Sequence, residues 1–468
     1  MVNFESGTIS AGFGHTPAGA VLSHQKKCQV IMNRIWYVLL CSSLLLAGIS
    51  AKAQNNEVCP DQASLVNETM NRITEVIVHD VFTPPVASRI YAYTAIAGYS
   101  AYHFIQGETP FTVKLNEFPE LPLSSPNQPY CASLAMSSAM FETAKALLFS
   151  EAMVDSSFTD FTAIYFEDKL DEKTRQTSIN YGRFVASQVI EWAGQDNYRE
   201  TRSLERYTPE KLDDSWEPTP PDNADAVEPY WGRMRPFVLD SASQCQPIDP
   251  PAYSEDPSSR FYLDAMEVFD TKTTLTADQE ATVFFWDDNP FVTVHTGHLV
   301  YAKKKVSPAG HWMGITEIAI NQSGADLDKA IEAYTMVSIG LADAFISCWE
   351  EKYRSNLIRP VTYINRVIDP NWEPFLQTPP FPEYTSGHSV ISASASMILT
   401  ELFGDGFAYT DDVLEKYGQP PRSYKSFLDA ANEAAYSRLY GGIHYRPAIE
   451  VGVQQGRKVA SIIIAELL

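Results

Sequence analysis

The sequence predicts an all-α protein of packed helices, and three observations carry the prediction. Apolar residues recur at three- and four-residue spacing near 60–80, 87–105, 132–151, 174–195 and 327–352, and again over 388–403, 424–438 and 447–466. Pro, Asn or Gly bounds these segments, as befits residues that open and close helices. No stretch shows the alternating β-branched pattern that a half-buried strand requires. The content of 45% hydrophobic and 12% aromatic residues supplies a core and excludes a largely disordered chain. No internal repeat stands out, and 468 residues allow one large domain or two smaller ones.

From the N-terminus, residues 1–53 read as an upstream extension followed by a secretory signal rather than as fold. Residues 35–48 form a short apolar run, preceded by Arg34 and followed by Ala51-Lys52-Ala53. A charged start, a short apolar stretch and a small-x-small site define a signal cleaved before Gln54. The run is too short to favour a membrane span. Residues 1–31 carry no targeting pattern, and the signal sits properly if translation begins at Met32. The processed protein is therefore expected to be soluble, and secreted or periplasmic. It retains Cys59, Cys131, Cys245 and Cys348, which allow three pairings, and no disulfide is assigned. Cys348 lies in an apolar helical stretch and reads as a buried small hydrophobe.

The remaining chain divides into a helical half over 54–326 and a second over 327–468. Within the first, 208–257 is rich in Pro, Asp and Ser and reads as an irregular excursion, either a linker or a loop lying over a pocket. Its YWGRMRPFVL segment is too aromatic for a solvated linker, so Trp231 to Leu239 should dock on the body.

Three motifs in the second half carry chemistry. In WEEKYRSNLIRP, Lys352 and Arg359 are seven residues apart, which returns both cations to nearly one helix face with Trp349 a turn earlier. Pro360 should end that helix at Arg359. Arg donates two parallel hydrogen bonds to an oxyanion, and Lys acts as a point charge. In PEYTSGH, Thr385-Ser386 supplies the cap of a helix whose N-terminus presents free N–H groups to an anion. Gly387 lets the backbone approach closely, and His388 lies in the first turn. In SRLYGGIHYRP, Gly441-Gly442 should end the helix carrying Arg438, and Pro447 should open the next, leaving His444 in a tight connection. Among the other histidines, His103, His295 and His311 read as polar surface.

Each motif alone has a structural explanation, but together they supply an oxyanion pocket of Lys352, Arg359, Ser386, Gly387, His388, Arg438 and His444. The net charge of −23 and pI near 4.8 make nucleic acid and anionic membranes poor partners. Three cations at one point stand against that overall field.

This order of motifs resembles the superfamily of type 2 phosphatidic acid phosphatases and vanadium-dependent haloperoxidases, over roughly 330–468. The resemblance implies an all-α bundle core with His444 as the covalent centre, coordinating vanadate in the peroxidases and attacking phosphorus in the phosphatases. Lys352, Arg359, Arg438, Ser386 and the Gly387 N–H would hold the equatorial oxygens, and His388 would be the acid–base partner. Lys352 would also polarise bound peroxide. Trp349 and Phe381 resemble halide-side aromatics, and the extra N-terminal half resembles two-bundle haloperoxidases. The superfamily often carries Asp four residues after the histidine, and here that position is Ala448. Glu450 or a backbone carbonyl would then orient His444. Asp288, in FFWDDNP, is the candidate carboxylate partner of Arg438.

The resulting expectation is a secreted vanadium haloperoxidase that uses hydrogen peroxide to oxidise halide, iodide before bromide, and so halogenates small organic acceptors. The alternative is a periplasmic acid phosphatase with a phosphohistidine at His444. A non-catalytic oxyanion carrier would have little use for two histidines.

Overall fold

The computed structural model describes residues 59–468, apart from 126, 291, 292, 297, 298 and 303. The upstream extension, the signal and its cleavage site lie outside these residues. Fourteen α-helices make up the described chain, in one compact unit over Val58–Leu468. The first six are α1 (Ala63–Asp80), α2 (Pro84–Gln106), α3 (Ala132–Leu147), α4 (Glu151–Tyr165), α5 (Glu172–Ala193) and α6 (Tyr198–Ser203). Then come α7 (Arg260–Thr274), α8 (Ala277–Phe285), α9 (Pro308–Ser323), α10 (Leu327–Ser355) and α11 (Pro360–Val367). The last are α12 (Gly387–Phe403), α13 (Phe427–Tyr440) and α14 (Arg446–Leu467). Two small antiparallel hairpins interrupt them, β1 (Thr293–Thr296) with β2 (Leu299–Ala302), and β3 (Tyr409–Asp411) with β4 (Arg422–Tyr424). Three- and four-residue strands are too short to leave an alternating signature in sequence.

Local chemistry sets the helix ends. Thr83 caps α2 by accepting from Val86 N–H, and Pro84 fills its first position. Asp326 caps α10 in the same way through Lys329 N–H. That helix is central to the fold, packing against α1, α2, α9, α12 and α14. Its apolar length would cross a membrane, but 94% of the apolar window is buried among other helices. Where α12 meets α14, a Cβ at Gly456 would run into the Val390 carbonyl, so a small residue sets that approach.

The 208–257 excursion does dock on the body. Trp231, Phe237, Val238 and Leu239 are buried, and the Asp343 carboxylate on α10 accepts the N–H groups of Phe237, Val238 and Leu239 at 2.7–3.1 Å. Earlier in the excursion, the Val227 carbonyl accepts from the Trp349 indole and the Tyr353 hydroxyl. The excursion therefore braces the helix that carries the site. A disulfide joins Cys59 to Cys131, which the sequence reading left unassigned, while Cys245 and Cys348 are buried free thiols.

Candidate active site

Lys352 and Arg359 reach the site from different elements, which corrects the single-helix reading. Asn356 takes a left-handed conformation (φ 46°) and ends α10 after Ser355, and Arg359 is the extended residue that precedes Pro360 of α11. The seven-residue spacing still works, because both cations converge on one ring. The Lys352 ammonium and the Arg359 guanidinium each lie 5.0 Å from the centre of Phe381. Lys352 Nζ donates to the carbonyls of Pro382 and Glu383 at 2.9 and 3.0 Å. Arg359 donates from Nε to the Phe381 carbonyl and from Nη1 to the Ile443 carbonyl, both at 2.8 Å.

The PFPEYTSGH segment is tied down along its length. Glu383 N–H donates to Leu357, Thr385 Oγ1 donates to Gln455 Oε1, and Ser386 N–H donates to Ala448. The Ser386 hydroxyl caps α12 by accepting from Ser389 N–H. Gly387 and His388 in the first turn line a cleft together with Trp349, Phe381, Arg438 and His444. Asp287 and Asp288 form another part of its wall. Trp349 and Phe381 pack with ring centres 4.9 Å apart. Lys352, Arg359 and Ser386 sit behind this lining, with zero exposure.

His444 falls in the connection between α13 and α14, as the glycine pair and Pro447 require. The group that orients it is Glu383, which neither Glu450 nor a backbone carbonyl replaces. Glu383 Oε1 accepts from His444 Nδ1 at 2.8 Å and from the Tyr445 N–H at 2.9 Å. Glu450 instead lies near Tyr436 and Arg446. The sequence reading looked for a carboxylate just after the histidine. Glu383 is 61 residues before it, inside the PEYTSGH motif. With Nδ1–H committed to Glu383, Nε2 keeps its lone pair and accepts from Arg359 Nη1 at 3.2 Å. Burial, then Arg359, Lys352 and Arg438, hold His444 well below the usual histidine range, so the ring is neutral.

His388 is neutral for similar reasons. Burial comes first, followed by Arg438 and His311. Its Nε2 accepts from Arg438 Nη1 at 3.3 Å. Burial also lowers Lys352 to about 7 and raises Glu383 to about 7. Three guanidinium positions, Arg359 Nη2 and Arg438 Nε and Nη2, are buried without a partner among the described residues. Unsatisfied cationic donors of this kind are costly in a closed protein and suit a tetrahedral oxyanion.

Two assignments change. Asp288 hydrogen-bonds His311 Nδ1 at 2.9 Å rather than Arg438, although its charge acts on that guanidinium. His311 is fully buried and His103 is nearly so, with Glu108 on Nδ1, so neither is polar surface. Spacing does not reveal such partners, since His311 meets carboxylates 23 and 100 residues away. The side chain of His295 lies outside the described residues.

An all-α helical-bundle fold enclosing a cationic cleft with two neutral histidines defines a class of enzyme, and comparison with known proteins agrees. Residues 332–467 match the family described as VCPO second helical-bundle domain. The chain is similar to the crystal structure of the first bacterial vanadium-dependent iodoperoxidase. The two share 44% identity at a TM-score of 0.81, over 86% of this chain and 96% of that one. Holo-type and apo-type bacterial vanadium-dependent chloroperoxidases share the fold at 15% identity. Their TM-scores are 0.63 and 0.61, over 83% and 82% of this chain and 93% and 92% of theirs. None of the curated proteins compared matches. The chain belongs to the vanadium-dependent haloperoxidase family and is a peroxidase. The phosphatase alternative gives way to that membership.

Proposed function

We propose that this haloperoxidase is an exported enzyme that oxidises iodide with hydrogen peroxide, with vanadate held at His444. One observation carries the cofactor assignment: three unpartnered buried guanidinium N–H positions lie near a neutral histidine whose Nε2 lone pair is unprotonated. Lys352, Arg359 and Arg438, with Ser386 and the Gly387 N–H, would hold its oxygens, and His444 Nε2 would be the ligand. Vanadate, when bound, supplies a Lewis-acidic centre that activates hydrogen peroxide toward halide without changing oxidation state.

The protein's own groups do the rest. Glu383 fixes the His444 tautomer so that Nε2, and not Nδ1, is the available nitrogen. His388 Nε2 can accept the proton of incoming peroxide, and its depressed pKa keeps it a base through the neutral range. Lys352, in its charged form, would polarise hydrogen peroxide held at the site. The Trp349–Phe381 wall desolvates the halide. The 44% identical iodoperoxidase supports iodide as substrate, since iodide also demands the least polarisation. Export is supported by the Cys59–Cys131 bond, because such bonds persist in oxidising compartments. N-terminal sequencing of the exported protein should begin at Gln54.

The test is peroxide-dependent iodide and bromide oxidation by the apo-protein, with and without orthovanadate, beside His444→Ala. Iodide oxidation should require vanadate, exceed bromide oxidation and vanish in the variant together with tight vanadium binding. Stoichiometric, tight vanadium in His444→Ala would refute the ligand assignment. Bromide turnover equal to iodide would refute the halide, and strong phosphatase activity without vanadate would refute the reading as a whole.

A further inference from the structure

One buried titratable cluster has no part in the reaction as described. His311, on α9, has zero exposure. Its Nδ1 lies 2.9 Å from Asp288 Oδ2 and its Nε2 lies 2.9 Å from Asp411 Oδ2, both carboxylates being almost or wholly buried. A neutral imidazole can donate from only one nitrogen. Two carboxylates on one ring are compatible with an imidazolium that donates to both, and such a cation also compensates two buried anions. Burial pulls the ring down, but Asp288 and Asp411 outweigh it and hold the pKa at about 10.

The cluster meets the active site by two routes. Asp288 belongs to the cleft wall with Arg438, whose charge it partly offsets. The Trp286 ring stacks on the His311 ring with centres 4.7 Å apart and planes 26° from parallel. The Trp286 backbone in turn acts on the His388 ring, favouring its protonated form. Asp411, at the end of β3, is outside the cleft lining and is anchored by accepting the Val413 N–H at 3.1 Å.

We propose, on the haloperoxidase reading of His388 above, that Asp411–His311–Asp288 is a positioning unit of the active site. In it, an imidazolium locked between two buried carboxylates fixes the Asp288 carboxylate in the cleft wall with Arg438 and holds the Trp286 backbone beside His388. The charged groups facing His311 are Asp288 from the segment after α8 and Asp411 from β3, with Tyr417 near Asp288. Those facing His388 are Arg438 from α13, His311 from α9, Lys352 from α10 and the neutral His444.

The signs follow from these charges. His311→Gln removes a cation that disfavours protonated His388, so the acid limb of the iodide-oxidation profile should move up by about half a pH unit or more. Asp411→Asn removes an anion from the same unit and should move that limb down. Melting temperature and vanadate affinity of both variants report the fold. In the wild-type apo-protein, histidine-selective 15N NMR should find both ring nitrogens of His311 protonated across the neutral range. A ring protonated on one nitrogen overturns the proposal, as does an unchanged acid limb in folded variants. If His311→Gln does not fold, Asp411→Asn and the wild-type spectrum decide. His388→Ala separates this proposal from the reading beneath it. An acid limb that persists there sinks the role of His388, while the nitrogen shifts still test the locked imidazolium.

Discussion

Lys352 carries a charge that the fold strains. Enclosed by burial and facing Arg359, it loses its proton at about 7 instead of 10.5. The unfolded chain keeps that proton to higher pH, so this group makes the apo-protein more stable as pH rises from about 7 to 10.5. Glu383 acts oppositely over a lower window. Raised from 4.5 to about 7 by burial, it is protonated more readily in the fold, and its contribution declines as pH rises through that interval. An oxyanion in the cleft reverses the position of Lys352 by favouring its charged form. At pH about 8, phosphate or vanadate binding to the apo-protein should therefore take up close to one proton per site. Calorimetry in two buffers of different ionisation enthalpy measures this, and Lys352→Met should abolish most of it. Proton-neutral binding in the wild type would mean that Lys352 is already charged in the empty site.

Among the elements, the connection between α13 and α14 determines whether the histidine reaches the cleft. Gly442 has φ 76°, and a Cβ there would lie 3.1–3.2 Å from Pro374 and Trp372. Gly442→Ala should cost about 1–2 kcal/mol through the left-handed backbone. It should cost turnover more, roughly tenfold or above, because His444 is two residues away and reaction rates fall steeply with misplacement. Comparing the unfolding midpoint with the turnover per bound vanadium separates the two effects. Unchanged turnover and vanadate affinity would show that the connection tolerates movement. The glycine pair was legible in the sequence as a helix stop, whereas the crowding by Pro374 and Trp372 was not, since those residues are some 70 positions away.

For the molecule as a whole, the Cys59–Cys131 bond ties the start of the described chain to α3 across 72 residues. Restricting the unfolded chain over a loop of that size is worth up to about 4 kcal/mol. Cys59→Ala, or reduction of the wild type, should lower the denaturation midpoint while leaving turnover per bound vanadium unchanged, because the bond is remote in the chain from every site residue. A matching loss of turnover would connect the N-terminal helices to the cleft.

The sequence by itself determined the all-α class, most of the long helices and which motif residues meet at the cleft. Those features are written in local periodicity, in cap residues and in motifs whose spacing matters within one or two turns. It did not determine the carboxylate behind His444, the partner of Asp288 or the burial of His311. Each of those depends on side chains from separate helices meeting in a desolvated interior, where the energy of a contact is set by what surrounds it rather than by neighbours in the chain. Glu383 shows the difference: its motif was read as the start of a helix and an anion site, but only packing brought its carboxylate to within 2.8 Å of His444 Nδ1.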